Sequence, residues 1–397
     1  MSEVFTGNFT QQEPIPEEAI EAAVRVMRHG RLHRYNVVAG EVSESALLEQ
    51  EFAAFTGSTY CLAVASGGYA LAAALRAVGV EAGDKVLTNG FTLAPVPGAI
   101  ASVGGVPVFV EVTDQLVMDL ADLQVKIAKS GARVLMLSHM RGHLVDMEAL
   151  MAICDAAGVK VIEDCAHTMG AAWNGVASGT QGVIGCYSTQ TFKHLNSGEG
   201  GLLVTDNAEI MARATMLSGS YMLFDRHIAG APSAVFEDIR LDTPNCSGRM
   251  DNLRAAILRP QLKDLSARCK AWNARYREVE NGLRNVPSLR LIERPSNEDY
   301  VMSSFQFLLP EMDGAAIQDF TDRVASRGVE LKWFGADQPS GFTSRHDSWR
   351  YAPPQDLPQT DRVLAGLLDL RLPLTFSLSD CAQIARIIRD EAMRGCS

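Results

Sequence analysis

Hydrophobic and polar positions along the first two-thirds of the chain alternate between the period of a helix and the continuous apolar runs of buried strands. Helical spacing covers IPEEAIEAAVRVMRHG, ESALLEQEFAAFTG, YALAAALRAVG, DLADLQVKIAKSG and MEALMAICDAAG. The strand candidates between them are YCLAVAS, DKVLT, VPVFVEV, RVLMLSHM, VKVIEDC, GVIGCYS and GGLLVTD. Apolar strands separated by helices predict a mostly parallel sheet covered on both faces, which is a three-layer α/β fold.

A different pattern begins near Met250 with a long helical stretch, which Pro260 is expected to kink or to divide into two helices. Beyond it, SSFQFLLP, AIQDFTDRVASRG, VELKWFG and SDCAQIARIIRDEAM predict a smaller α+β unit. We therefore expect a large domain over residues 1–250, and a long linking helix with a small C-terminal domain over residues 251–397. The stretch from Asp337 to Pro358 predicts a long surface loop.

Composition excludes several classes of protein. The 397 residues are 47% hydrophobic and 21% charged, which is ordinary for a globular chain. Lysine and arginine total 36 against 47 aspartate and glutamate, a net charge of −11, and no stretch is basic enough to follow a nucleic-acid backbone. The eight cysteines are scattered without CxxC pairs, which is typical of a reducing compartment and predicts neither a disulfide framework nor a metal site.

One apolar segment raises the question of a membrane. Residues 86–110 carry no charge, and about 20 apolar residues suffice to span a bilayer. Pro95, Pro97 and Pro107 interrupt the segment, so we expect a strand, a turn, a short buried helix and another strand. The N-terminal residues lack the basic and apolar regions of a secretory signal, and we expect a cytoplasmic protein without membrane association.

Two predicted strands end in residues that could bind a ligand, and ligands of open α/β sheets gather at such ends. Gly67 and Gly68 open a helix, where backbone amides either bind an anion such as phosphate or simply form a tight turn. Glu163 and Asp164 end a later strand, with His167 just beyond. A carboxylate there could hold a metal, act as a base or pair with a protonated ring nitrogen; the alternative is a solvated pair that caps the next segment.

The segment GCYSTQTFKHLNSGEGGLLVTD places Lys193 five residues after Ser188, between two apolar strands. A lysine is nucleophilic only when it is deprotonated, which burial or a covalent imine achieves; taken alone, Lys193 is more typical of a surface salt bridge. A phosphate cradle, a strand-end aspartate and a later lysine together meet the needs of pyridoxal phosphate (PLP), whose phosphate must be held and whose ring nitrogen must stay protonated.

The sequence resembles the DegT/DnrJ/StrS family of PLP-dependent sugar aminotransferases, which have the aspartate aminotransferase fold, fold type I. The resemblance runs from about residue 25 to 290, and its most specific segments are VIEDCAHTMGA and GCYSTQTFKHLNSGEGGLLVTD. It implies that Lys193 forms the internal aldimine and then moves a proton between substrate and cofactor. Asp164 would pair with the pyridinium nitrogen. Dehydratases of the family carry histidine in place of this lysine, so transamination is favoured.

The resemblance also implies the remaining cofactor contacts. Ser188 and the amides of Gly67 and Gly68 would hold the phosphate. Ala166 would pack on one face of the ring, and His167 would lie near the ring hydroxyl.

Three positions depart from the family pattern. Gly68 stands where a threonine is usual, and Leu93 replaces the aromatic residue that stacks on the cofactor, unless Phe91 takes that place. The family has an asparagine that reaches the cofactor phosphate of the partner subunit. Here that position is Ser247, with Asn245 two residues earlier, and we take Asn245 as the candidate while leaving both open.

Other polar residues have more than one interpretation. His139 is expected to be structural, and Glu199 either braces its loop or contacts substrate. Four residues in the C-terminal third either line a substrate entrance or belong to a packed surface loop: Trp333, Arg345, His346 and Trp349.

The expected activity is amino transfer from an amino acid, glutamate or glutamine, to a keto sugar or a related polyol-derived ketone. The resemblance implies a ping-pong reaction in a homodimer with active sites at the interface. One alternative is an aminotransferase for a small non-sugar ketone or aldehyde. Another is a PLP-binding regulator without turnover, which the pairing of Lys193 with Asp164 argues against.

Overall fold

The computed structural model describes residues 3–394. The helices within them, numbered in chain order, are α1 (Glu17–His29), α2 (Glu44–Thr56), α3 (Gly67–Ala77), α4 (Pro95–Ser102), α5 (Leu120–Ser130), α6 (Met147–Ala157), α7 (Ala208–Ser218), α8 (Asn252–Lys263), α9 (Leu265–Leu283), α10 (Gly314–Ser326), α11 (Pro358–Ala365) and α12 (Leu378–Arg394).

The strands of the described residues form three sheets. They are β1 (Tyr60–Val64), β2 (Lys85–Asn89), β3 (Val106–Val110), β4 (Val134–Ser138), β5 (Lys160–Asp164), β6 (Ala172–Trp173), β7 (Val176–Ala177), β8 (Ile184–Ser188), β9 (Gly201–Thr205), β10 (Arg290–Leu291), β11 (Glu298–Asp299), β12 (Ser304–Leu308), β13 (Leu331–Trp333) and β14 (Leu367–Arg371).

The large sheet has seven strands in the order β1-β9-β8-β5-β4-β2-β3, and β9 alone runs antiparallel to its neighbours. Alternate side chains of one strand enter two separate apolar cores: Leu135 belongs to one and Met136 to the other. Helices cover both faces because each face is apolar. The predicted three-layer α/β fold is confirmed.

The second unit is built on an antiparallel sheet in the order β10-β12-β14-β13. Its core contains residues of α9, α10 and α12. Phe5 and Phe9 from the beginning of the chain also belong to this core, where each contacts the Phe376 ring edge-on. The N-terminal segment therefore packs with the second unit, and the domain division at residue 250 stays a prediction.

Two predictions about local structure have clear outcomes. The apolar segment 86–110 forms β2, α4 and β3, as the prolines indicated, and no helix of residues 3–394 is long and apolar enough to cross a membrane. The long helical stretch is divided, but not at Pro260: α8 continues through this proline and ends at Lys263, and α9 begins at Leu265.

Candidate active site

A cavity of 510 Å³ lies at the carboxyl ends of β5 and β8, between the large sheet and the second unit. Asp164, Ser188 and Lys193 line it from the large-sheet side, and Lys332 and Arg371 line it from the second unit. Strands of one direction end at the same edge of a sheet, so residues that are distant in sequence meet there.

Lys193 lies in the connection between β8 and its antiparallel neighbour β9. Because these strands form a hairpin, the connection turns back across the strand ends, where Lys193 N donates to Gln190 O at 2.8 Å. Its Nζ lies 3.0 Å from His167 Nε2. Burial, and then repulsion by Arg141, lowers the pKa of Lys193 to about 7, so the amine is partly neutral near physiological pH.

His167 faces the same amine. Burial and the charge of Lys193 hold the pKa of His167 well below its usual value, so the imidazole is neutral and accepts or donates according to its tautomer. The pair can therefore exchange a proton without forming two adjacent cations.

Asp164 ends β5 and is held by two donors. Ser138 Oγ donates to its Oδ2 at 3.1 Å, and Ala166 N donates to its Oδ1 at 3.2 Å. Burial raises the pKa of Asp164, although the charge of Lys193 opposes the rise. A cationic group placed against this carboxylate would be stabilised strongly, because both would be shielded from water.

The neighbouring carboxylate, Glu163, is committed to structure. Its Oε1 accepts from the backbone N–H groups of Gln181 and Gly182 at 2.9 and 2.7 Å. Its Oε2 lies 2.8 Å from Gly179 N and 3.0 Å from His139 Nε2. These contacts place His139 in a buried structural pair and leave Glu163 no free oxygen with which to bind a ligand.

The N-terminus of α3 packs against Ser188 at the cavity wall. Ser66 caps the helix by accepting from Tyr69 N at 3.0 Å, which leaves the first amides of α3 directed into the cavity. A Cβ on Gly67 would approach Ser188 Cβ to 2.8 Å, so only glycine fits there. A Cβ on Gly68 would meet no atom closer than 4.0 Å.

The cavity wall includes Leu93 and Ala166 but not Phe91. Phe91 is buried, and its ring meets the edge of the Phe334 ring at 5.0 Å. Leu93 is therefore the residue of this segment that a planar ligand would meet.

Residues 14–389 match the model of the DegT/DnrJ/EryC1/StrS aminotransferase family, whose aminotransferases depend on PLP. The chain belongs to this family.

Two curated relatives and one solved structure illustrate the match. The chain is 30% identical to a UDP-N-acetyl-3-dehydro-alpha-D-glucosamine 3-aminotransferase of Acidithiobacillus ferrooxidans, over 80% of this chain and 84% of the relative. It is 32% identical to an L-glutamine:2-deoxy-scyllo-inosose aminotransferase of Streptomyces lividus, but that match spans 63% of this chain and 58% of the relative. The crystal structure of the aminotransferase TlmJ from Streptoalloteichus hindustanus matches with a TM-score of 0.83 at 22% identity, over 99% of this chain and 100% of that one.

Two predicted site residues of this family member are exposed, one outside the cavity and one at its rim. Asn245 is exposed, and its Oδ1 accepts from Ser247 N at 3.0 Å, so the pair forms its own turn within one subunit. Glu199 is exposed at the cavity rim.

The residues suggested for a substrate entrance do not line the cavity. Trp349 is buried in a small apolar cluster with Phe109, and the His346 ring lies 6.0 Å from the same phenylalanine. Trp333 Nε1 donates to Ala365 O at 2.8 Å. The neighbouring residues Gly341, Phe342 and Ser344 reach the cavity instead. The packed-loop interpretation therefore describes His346 and Trp349.

Sequence reasoning missed the basic side chains of the site: Arg141, Lys332 and Arg371. Arg141 lies in the segment SHMRGHLVDMEAL, just beyond the end of β4. This position at the end of a strand could have indicated a residue of the site. Ser138, at the end of the same strand, was also missed, and the strand-end rule would have found it beside Asp164. Lys332 and Arg371 lie in the second unit, and nothing in the local pattern indicated where that unit docks.

Proposed function

We propose that this protein is a PLP-dependent aminotransferase that moves an amino group from glutamine or glutamate to a keto sugar or a related ketone. The observation that carries the proposal is a single cavity that holds Lys193, Asp164, Ser188 and the N-terminus of α3. Membership of the aminotransferase family supports it, and so do the two relatives, whose names specify amino transfer to keto forms of a nucleotide sugar or a cyclitol.

The residues present fit the cofactor. Only glycine fits at position 67, because the start of α3 packs directly against Ser188, and this contact places the helix amides and the Ser188 hydroxyl side by side at the cavity wall. The free amides of α3 and the Ser188 hydroxyl supply donors for that phosphate, with Gly67 and Gly68 at the helix start. Asp164 has the position and burial to keep a ring nitrogen protonated, which it would do by stabilising the opposite charge.

Each remaining residue has a role that its position supports. When bound, PLP supplies an electron sink that stabilises negative charge at the substrate carbon. Lys193 would hold the cofactor covalently and, once released, carry a proton at its Nζ, with a neutral His167 3.0 Å away. Ala166 and Leu93 would bound the two ring faces, and His167 would also lie near the ring hydroxyl.

The proposal includes a ping-pong reaction and a homodimer. One cavity would receive donor and acceptor in turn, because Lys193, which lines it together with Asp164 and His167, would serve both half-reactions. Asn245, exposed and outside its own cavity, would reach the cofactor phosphate of the partner subunit. A two-fold contact would then complete both sites at once.

Spectroscopy of the purified protein tests the cofactor and the lysine together. We expect a visible absorbance band, which borohydride removes while it attaches the cofactor to the peptide that contains Lys193. Lys193→Ala should lose both signals, whereas Lys263→Ala, at an exposed pair with Glu18, should keep them. A protein that stays colourless with added PLP, and shows no label on Lys193, would refute the proposal.

The same band separates the proposed activity from its alternatives. L-Glutamine or L-glutamate should discharge the band, and an added ketone should restore it. Restoration by small aldehydes or ketones, but not by keto sugars, would favour the non-sugar alternative. A labelled Lys193 whose band no amino acid discharges would favour a PLP-binding regulator.

A further inference from the structure

Two phenylalanine rings line the cavity described above and contact each other. Phe192 directly precedes Lys193, and Phe342 belongs to the long connection between β13 and α11. Their ring centres are 6.0 Å apart, and their planes meet at 78°. The pair therefore joins the wall that carries Lys193 to the opposite wall, which comes from the C-terminal part of the chain.

The two rings differ in the surface that they leave free. The guanidinium of Arg371 lies 3.8 Å from the centre of the Phe192 ring, so one face of this ring is already occupied. Phe342 is 57% exposed. The ammonium of Lys332 lies 5.9 Å from the centre of the Phe342 ring, near the outer limit of a cation–π contact. Phe342 is therefore the ring of the pair with surface left for a ligand.

A tight turn holds Phe342 in this position. Ser340 N donates to Thr343 O at 3.2 Å, and Thr343 N donates to Ser340 O at 3.0 Å. The hydroxyl of Thr343, a buried residue, donates to Ser340 O at 2.6 Å. Gly341 has φ 57°, a conformation that glycine adopts without strain. Because the turn is already formed, little backbone order has to be gained when a ligand contacts Phe342.

The surroundings of Phe342 distinguish it from an ordinary surface residue. A single exposed phenylalanine is common on proteins and by itself indicates nothing. Phe342 lines the same cavity as Lys193, and polar residues that are close to the two rings in the chain line it as well. They are Ser344 and Gln190, whose Oε1 accepts from Phe192 N at 2.8 Å. Sites for small molecules combine apolar walls with a few polar groups in this way.

A ring of carbon atoms with equatorial hydroxyl groups matches such a wall. Its hydroxyls point outwards around the edge of the ring, and its axial C–H bonds cover both faces. One face can therefore leave water against an aromatic side chain while the hydroxyls keep their hydrogen bonds. An open-chain ketone has no such face, and neither has an amino acid donor such as glutamine.

We propose that the ring of Phe342 contacts one face of a cyclic ketone acceptor and thereby selects cyclic over open-chain ketones. The inference rests on the proposed function and names the shape of the acceptor within it. Phe342 acts on the acceptor and not on the cofactor. Its loss should therefore impair the half-reaction that consumes the ketone and leave the half-reaction of the amino acid donor unchanged.

Two stereoisomeric cyclitols test the contact without turnover. All hydroxyls of scyllo-inositol are equatorial, whereas D-chiro-inositol carries an axial hydroxyl on each face. Both are titrated by calorimetry into the holoprotein. We expect scyllo-inositol to bind more tightly, and we expect Phe342→Ala to weaken its binding about ten-fold and to remove the difference, because an apolar contact is lost. A holoprotein that does not distinguish the two cyclitols, or a preference that survives Phe342→Ala, would overturn the proposal.

Matched variants separate a stacking contact from other effects. Phe342→Tyr keeps a flat ring and should keep the preference, whereas Phe342→Leu keeps apolar volume without a flat face and should lose most of it. Phe55→Ala removes a phenylalanine of α2 that is 37% exposed and lies outside the cavity, so it should change nothing. Sedimentation of wild type and Phe342→Ala gives the oligomeric state. A dimer that dissociates in Phe342→Ala would show that the partner subunit covers this ring, and would overturn the proposal.

The rates of the half-reactions test the selectivity. The amino form of the enzyme is mixed with scyllo-inosose, a cyclic ketone, or with L-erythrulose, an open-chain keto sugar, and recovery of the visible band is followed. The cyclic ketone should restore the band faster at equal, limiting concentration. Phe342→Ala should slow this reaction about ten-fold and leave the reaction of L-erythrulose and the discharge by L-glutamine unchanged.

The possible failures of this inference and of the proposed function are distinguishable. Equal rates for the two ketones, or a preference that Phe342→Ala leaves unchanged, would refute the inference. Absence of the borohydride label on Lys193 would refute the proposed function instead, and the cyclitol titration would still report on the contact with Phe342.

Discussion

Replacing Glu163 by glutamine should destabilise the protein far more than its single-atom change suggests. The carboxylate accepts from four donors, at Gly179, Gln181, Gly182 and His139, over 2.7 to 3.0 Å. A glutamine keeps one accepting oxygen and presents an NH₂ group to the other two donors. The bond from Gly179 N is then lost and its donor stays buried, whereas His139 Nε2 accepts from the new NH₂ group in its other tautomer. At about 1.5–3 kcal/mol for a bond to a charged group, the free energy of unfolding should fall by at least about 1.5–3 kcal/mol.

Urea unfolding followed by circular dichroism measures the change, with Glu209→Gln as the matched control. Glu209 is an exposed partner of Arg213, and surface pairs of this kind contribute about 0–1 kcal/mol. Burial alone would raise the pKa of Glu163, but His139 and the backbone donors hold it below its usual value of 4.5. The stabilisation is therefore fully present above pH 4.5 and is lost as the pH falls through the folded pKa, so the difference between wild type and Glu163→Gln should narrow in acid. A loss no larger than that of the control at neutral pH would refute this account of the carboxylate.

Three further predictions concern the cavity. Gly67→Ala should abolish retention of PLP, because the new Cβ would lie 2.8 Å from Ser188 Cβ, whereas Gly68→Ala should retain the cofactor. The PLP content of both variants is measured after dialysis. Equal content would contradict the role of Gly67 in binding the cofactor phosphate. In cofactor-free protein, the rate at which PLP reattaches to Lys193 should rise with pH and level off above about pH 7, because only the neutral amine reacts. A rate that still rises up to pH 10 would show that the pKa of Lys193 is not lowered. Asp164→Asn should leave the protein folded but slow the loss of the visible band on addition of L-glutamine about 100-fold, a typical loss for a group that supports proton transfer. An unchanged rate would show that Asp164 does not act on the cofactor.

The sequence predicted those features of the site that follow from single segments. Asp164 and Gly67 stand at strand ends, and the carboxyl edge of a parallel sheet brings such positions together whatever the loops between them do. The strands themselves were predictable because continuous apolar runs have no other place than the middle of a covered sheet.

Features that depend on docking between distant elements were not predictable. Arg371 reaches the cavity because β14, an inner strand of the second sheet, ends at the cavity wall, and no local pattern encodes that placement. The division of the long helix was predicted, but its position was not. Helix α8 tolerates Pro260 at the loss of one backbone hydrogen bond, and its end at Lys263 depends on where α9 must pack.

The two walls of the cavity come from parts of the chain that fold around different cores. One wall carries Lys193 and Asp164, and the other carries Lys332, Phe342 and Arg371. Mutations in the second wall leave the core of the large sheet intact, although Lys332 and Arg371 contribute to the lowered pKa of Lys193 and Phe342 contacts Phe192. A combinatorial library restricted to positions 332, 341–344 and 371 would sample new acceptors while Lys193 and Asp164 keep their backbone positions, and lineages that diverge in substrate range should differ first at these positions.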